Sequence, residues 1–349
     1  MPPLSTVSVA SFLLFVLLSP RGIRGRGDLC ALSVSEVSLG VDERDSFRSE
    51  VLLDVYQCNV KHSRRGSDDD DLRPLIIFAP GAPLPKDKYT LFATGLANKG
   101  YVVMVLEHPA IMSGQHETLY FTSPADLANA ISYAEAQTDF AVDTDNIIVV
   151  GHSFGASSVL FALDKLCHYP FCIRGPVHFA PVPAPVPLHP GVKAAVAFGF
   201  SLFDPRGVFV HVDNAGTPLL ILNGSGDMSA TDKTLVQKAY DHLVPTKALA
   251  VVDDLDHFSI ADEVVTTPHR NDVSSTLPRH LQVAIVVDVV NRWIQQELNN
   301  DVKNFCAGIQ EDRGNVDRRQ LRRRRKSDRE DNYGLRYQLL ECQEEYYSN

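Results

Sequence analysis

Short, unbroken apolar runs separated by amphipathic stretches constrain this chain more than any other feature. The runs at residues 75–78, 102–106, 147–150, 219–222 and 248–252 show no alternation of polar and apolar positions. A strand buried on both faces has that signature, and such strands belong to parallel sheets covered from both sides. Helical start and stop signals punctuate the sequence between them. Residues 87–99 end at Gly100, and Ser123-Pro124 supplies a cap and a first-turn proline to the segment reaching Glu135. Segments 153–166, 231–243 and 280–298 complete the series. Alternation of this kind predicts an α/β fold: a mainly parallel central sheet with helices on both faces. Stretches 36–40 and 50–58 alternate well enough to predict a strand pair ahead of it.

The domain expected from this pattern spans residues 30–298, and its flanks differ from it. The chain has 349 residues, of which 44% are hydrophobic, enough for one sizeable core. Residues 9–18 (VASFLLFVLL) are too few to cross a bilayer as a helix, and Ser19-Pro20 breaks them. They suit the apolar region of a secretory signal, so residues 1–27 are expected to be a signal peptide. The destination is then the secretory pathway or, through a two-part address, a plastid; no stable transmembrane segment is expected. The loop 62–73 carries Asp68 to Asp71, which lack ligand-like spacing for calcium and read as solvated. Residues 299–349 hold Arg318-Arg319 and the basic run 322–326 among many acids. So few apolar side chains cannot offset the entropy of ordering, and a charged, disordered tail is expected. A net charge of −10 argues against nucleic acid as a partner. The six cysteines, even in number behind a secretory start, permit disulfides without fixing their connectivity. Cys167 and Cys172 are spaced for a local clasp, and no C-x-x-C pair suggests zinc or redox chemistry.

Gly151-His152-Ser153-Phe154-Gly155 follows the apolar run 147–150 and opens a helical segment. Alone, G-x-S-x-G arises by chance in about one chain of this length in ten. Its setting matters more. A sharp strand-to-helix turn crowds the serine with neighbouring backbone, and glycines on either side let that turn close. Ser153 is the candidate nucleophile. An acid is expected beyond a later strand, and Asp227 ends the turn 223–227 after the run 219–222. Asp253, Asp254 and Asp256 are rivals, but they sit close in sequence to the candidate base. That base is His257, placed after the run 248–252; His152 is expected to pack rather than act. The order Ser153, Asp227, His257 is that of the α/β-hydrolases. The oxyanion hole calls for two backbone amides: Phe154, following the nucleophile, and one from the loop 79–83. Pro80 and Pro83 have no N–H, so Ala82 is the expected donor.

Residues 74–109, together with 151–155, resemble the lipase-type α/β-hydrolases, with platelet-activating-factor acetylhydrolases, cutinase-like polyester hydrolases and chlorophyllases as the nearest groups. The resemblance spans roughly residues 74–298. It implies the α/β-hydrolase fold and a serine carboxylesterase with no metal or organic cofactor, acting on a small-molecule or lipid-like ester. It carries the nucleophile to Ser153, the acid to Asp227, the base to His257, and the oxyanion hole to Phe154 and Ala82. Pro80-Gly81 replaces the His-Gly of many relatives, and Ala156 stands where a second glycine often follows, so the substrate subgroup stays open.

Residues 177–190 and Phe198, Phe200 and Phe203 suit either an apolar pocket wall or core packing. Asn223-Gly224-Ser225 matches a glycosylation acceptor but adjoins the expected acid, so it is expected to be unused. Acyl transfer on the same triad remains an alternative to hydrolysis, as does a catalytically silent binding protein, although such proteins usually lack part of the triad.

Overall fold

The computed structural model describes residues 31–39, 51–59, 72–81, 84–107, 124–137, 140–164, 166–167, 182–183, 188–200, 212–227, 233–263, 273–299, 305–306 and 339–345. The signal at 1–27, Asp68 to Asp71 and the basic runs at 318–326 lie outside the described residues. In chain order the elements are β1 (Ala31–Leu39), β2 (Val51–Asn59), β3 (Arg73–Ala79), a 3-10 turn (Lys86–Tyr89), α1 (Thr90–Ala97), β4 (Val102–Leu106), α2 (Pro124–Ala136), β5 (Val142–His152), α3 (Phe154–Leu163), β6 (Leu166–Cys167), β7 (Val182–Pro183), β8 (Val192–Phe198), β9 (Leu219–Gly224), α4 (Lys233–His242), β10 (Lys247–Val252), α5 (Arg279–Leu298) and β11 (Leu339–Glu345).

The unbroken apolar runs all fall in strands, and β4 and β9 are buried at every position. Nine strands form one sheet in the order β1-β2-β4-β3-β5-β8-β9-β10-β11, while β6 pairs with β7 separately. From β4 through β3, β5, β8 and β9 to β10, neighbouring strands run parallel. The β1–β2, β2–β4 and β10–β11 pairs are antiparallel. The twofold period of a strand sends Leu75 and Ile77 to one face and Ile76 and Phe78 to the other. The first face is covered by α2, α3 and α4 through Leu127, Ile131, Val159 and Tyr240. The second is covered by α1 and α5 through Phe92, Leu96, Val286 and Trp293. Each such side chain contributes ~1.5–3 kcal/mol when fully buried, so stability concentrates in the central strands and the helices on them. Among the described residues no helix is long and apolar enough to cross a membrane.

One open reading is decided and one expectation is corrected. Of the pocket-wall and core readings, the core one holds for residues 194–198, which form part of β8 in the middle of the sheet, where Phe198 is fully buried. Alanine has little strand propensity, yet Ala194, Ala195 and Ala197 are buried here with α3 and α5 packed on the strand. The segment beyond residue 298 is not wholly without structure either. β11 pairs with β10, and a disulfide joins Cys306 to Cys342. Phe305 stands edge-on against Trp293, with ring centroids 5.5 Å apart. A covalent link and backbone pairing order what its own apolar content would not. Cys58 is disulfide-bonded as well, and the Cys167–Cys172 clasp involves a residue outside those described.

Candidate active site

β5 ends at His152 and α3 begins at Phe154, leaving Ser153 at the junction of strand and helix. Its backbone has φ 53° and ψ −118°, a strained conformation for a residue with a side chain, costing of order ~1–3 kcal/mol. The packing around it leaves little choice. A Cβ on Gly151 would overlap the Gly155 carbonyl and the Ala156 nitrogen, and one on Gly155 would overlap the carbonyls of Ala79 and Pro80. Both glycines are therefore required by close backbone approach. The Ser153 amide donates to the Phe198 carbonyl at 2.9 Å, fastening the turn to β8.

Asp227 and His257 come from the ends of two neighbouring strands. Asp227 lies just past β9, its amide turned back to the Gly224 carbonyl at 3.2 Å. His257 follows β10. Its Nδ1 is 3.0 Å from Asp227 Oδ2, and its Nε2 is 3.0 Å from Ser153 Oγ. Ser153, Asp227 and His257 are 7%, 1% and 2% exposed. A carboxylate facing Nδ1 keeps the ring proton there, which leaves Nε2 to accept from the serine hydroxyl. Gly199, directly after β8, has φ 59°, and a Cβ there would lie 2.8 Å from Asp227 Oδ2 and 3.0 Å from His257 Nδ1. Sequence reasoning did not single it out; a glycine immediately beyond a buried run at this end of the sheet is the signal it left.

The rival carboxylates shape the loop around His257. Asp253 accepts from the Ser225 hydroxyl at 3.2 Å. Asp254 accepts from the Thr276 amide at 2.8 Å and from the Thr276 hydroxyl. Asp256 accepts the Phe258 amide at 3.0 Å on Oδ1 and the Ser275 amide at 3.2 Å on Oδ2. It also accepts from the Ser259 hydroxyl and from Arg279 Nη1, each at 3.2 Å. The carboxylate at the imidazole is that of Asp227.

Phe154, the first residue of α3, sits where the partial positive charge of the helix N-terminus gathers. The facing loop passes close to Ser153: a Cβ on Gly81 would lie 2.5 Å from His152 Nδ1 and 2.9 Å from Ser153 Cβ. The Gly81 amide donates to the Tyr89 hydroxyl at 2.8 Å. Ala82, the expected second donor, lies outside the described residues. His152 is fully buried, with its ring 5.7 Å from that of Phe198 and 6.2 Å from that of Phe258. It packs, as expected, and it also bonds: Nδ1 is 2.9 Å from the Tyr89 hydroxyl and Nε2 is 2.8 Å from the His257 carbonyl. Nothing in the spacing of Tyr89 marked it. Phe203 and residues 177–181 lie outside those described. Asn223 is buried within β9, paired with Val251 of β10.

The arrangement can move a proton from the Ser153 hydroxyl to His257 while Asp227 balances the charge that develops. No protein-family model matches the chain, and no curated protein matches it significantly.

Proposed function

We propose that this chain is a serine hydrolase of the α/β-hydrolase fold that cleaves an apolar carboxylic ester through an acyl-enzyme. One observation carries the proposal: a serine in a strained strand-to-helix turn, 3.0 Å from an imidazole that lies 3.0 Å from a buried carboxylate. A serine hydroxyl is a poor nucleophile until a positioned base takes its proton. As Ser153 Oγ bonds to the ester carbon, its proton passes to His257 Nε2, and Asp227 stabilises the imidazolium. The carbonyl oxygen becomes an oxyanion held by the amides of Phe154 and Ala82, each contributing a factor of ~10²–10³ in rate. The C–O bond then breaks, and Nε2 returns the proton to the departing alcohol. Water attacks the acyl-enzyme by the same route, releasing the acid and restoring Ser153. The resemblance of residues 74–109 to lipase-type hydrolases supports an apolar substrate. The amino-terminal apolar run supports a secretory route.

A fluorophosphonate probe tests the assignment. Wild type is expected to be labelled at Ser153, with no labelling of Ser153→Ala, whose kcat on a short p-nitrophenyl ester falls by ~10⁶. Ester hydrolysis persisting in the alanine variant overturns the proposal.

A further inference from the structure

Three polar contacts beside the relay run in one direction. The Gly81 amide donates to the Tyr89 hydroxyl at 2.8 Å. His152 Nε2 faces the His257 carbonyl at 2.8 Å, and a carbonyl can only accept, so Nε2 carries a proton. The neutral ring then presents a lone pair at Nδ1, and the Tyr89 hydroxyl, 2.9 Å away, donates to it. Burial pushes the Tyr89 phenol well above its ordinary pKa, against the opposing effect of the Gly81 bond, so the hydroxyl keeps the proton it donates. Tyr89 and His152 are both fully buried, where polar bonds gain strength from the low dielectric.

The chain of bonds spans the loop after β3, the elbow after β5 and the loop after β10. Tyr89 is itself held firmly. Its ring packs on Phe78 with centroids 4.8 Å apart. Lys86, in the same turn, bonds Glu36 at 2.6 Å and Asp54 at 2.7 Å. A second tie joins that turn to the histidine loop: the Asp262 amide donates to the Lys88 carbonyl at 2.7 Å, and Asp262 Oδ1 accepts the Leu91 amide at 3.0 Å.

We infer that Tyr89 and His152 form a positioning relay that sets the oxyanion-hole loop and the main chain of His257 against Ser153. The inference rests on the hydrolase reading of Ser153, Asp227 and His257. Neither residue touches the substrate carbonyl in this scheme. Their effect is geometric: a misplacement of ~1 Å in such a site costs ~10²-fold in rate. Simple space-filling predicts otherwise, because Tyr89→Phe keeps the ring and loses only the hydroxyl.

The test measures kcat and KM on a short p-nitrophenyl ester for wild type, Tyr89→Phe, His152→Asn and His152→Gln, with thermal melts as folding controls. Asparagine places an acceptor near the Nδ1 position but cannot reach the His257 carbonyl; glutamine places an amide donor near the Nε2 position. Tyr89→Phe and His152→Asn are each expected to lower kcat ~10–100-fold with KM within about twofold of wild type. His152→Gln is expected to recover kcat at least about threefold over His152→Asn. Should Tyr89→Phe fail to fold, the two His152 variants decide. Folded variants with wild-type kcat, losses confined to KM or to the melting temperature, or a glutamine variant no better than the asparagine one, each overturn the relay. Wild type that neither labels with fluorophosphonate nor hydrolyses the ester overturns the hydrolase reading, and the relay with it.

Discussion

At Ser153 the backbone is held by what its neighbours lack, and at His257 by what its neighbours carry. The elbow closes because Gly151 and Gly155 have no side chains where other backbone atoms must lie. The loop of His257 also leans on missing side chains, at Gly224 beside the Leu255 carbonyl and at Gly199 beside the imidazole, but it has a second kind of fastening. It is fastened by side chains: Asp256 to two amides, a hydroxyl and Arg279, and Asp254 to Thr276. Steric exclusion has no pH dependence and no partial states. A hydrogen-bonded loop has both, and it can be loosened one bond at a time. The comparison teaches that the two halves of one relay fail in different ways.

After removal of the Ser153 hydroxyl itself, Asp227→Asn offers the largest effect, because it removes the charge and the tautomer control while preserving shape. A fall in kcat of ~10⁴ is expected on a short ester, with the melting temperature little changed. An undiminished rate would hand the acid's part to Asp254 or Asp256. Gly155→Ala attacks the sterically held half. The added methyl meets main-chain carbonyls that cannot rotate away, so kcat should fall by ~10² or more. Stability should drop by about 1–3 kcal/mol, read by denaturant melts. A variant with native rate and stability would show that the elbow yields, and the contrast would collapse. Asp256→Asn loosens the bonded half. It turns one acceptor oxygen into a donor among groups that donate, so a rate loss of ~10-fold and a stability loss of about 1–3 kcal/mol are expected. Loss of stability without loss of rate would separate the loop's order from the position of His257.

The smallest effect concerns pH. Burial raises the Asp262 carboxyl from 3.8 to about 6, against the bonds from the Leu91 and Thr90 amides. The folded protein thus keeps a proton that the unfolded chain has released. The stability this proton brings is complete below pH 3.8 and is lost as pH rises through about 6. Asp262→Asn should leave the melting temperature unchanged near pH 3.5 and raise it by ~1–2 °C at pH 8. The elbow variants should show no such dependence.

The same contrast explains what was legible in the sequence. Glycines that permit close approach are fixed in spacing, so the elbow was visible as a motif, and the strands beside it were visible as apolar runs. Asp227 and His257 were found by their places after strands. Of the side-chain bonds that hold His257, those from Asp256 to Phe258 and Ser259 are local, but those to Ser275 and Arg279 form only after α5 packs, and no spacing foretells them. Tyr89 and Gly199 were hidden for the same reason, since their parts depend on contacts made across the sheet. β8 was obscured because a strand pressed between two helices favours alanine, which local propensity assigns elsewhere. β11 was obscured because acidic residues suit an edge strand, and its order comes from pairing and from Cys306.

That last strand has a practical meaning for anyone shortening the chain. β10 would be the outermost strand without it, and its row of amides and carbonyls would lie open to pairing with another chain. A protein cut at residue 298 would keep Ser153, Asp227 and His257 and gain an adhesive rim, inviting strand-by-strand stacking of one molecule on the next. The acidic ribbon stapled over that rim by Cys306–Cys342 works as a hem.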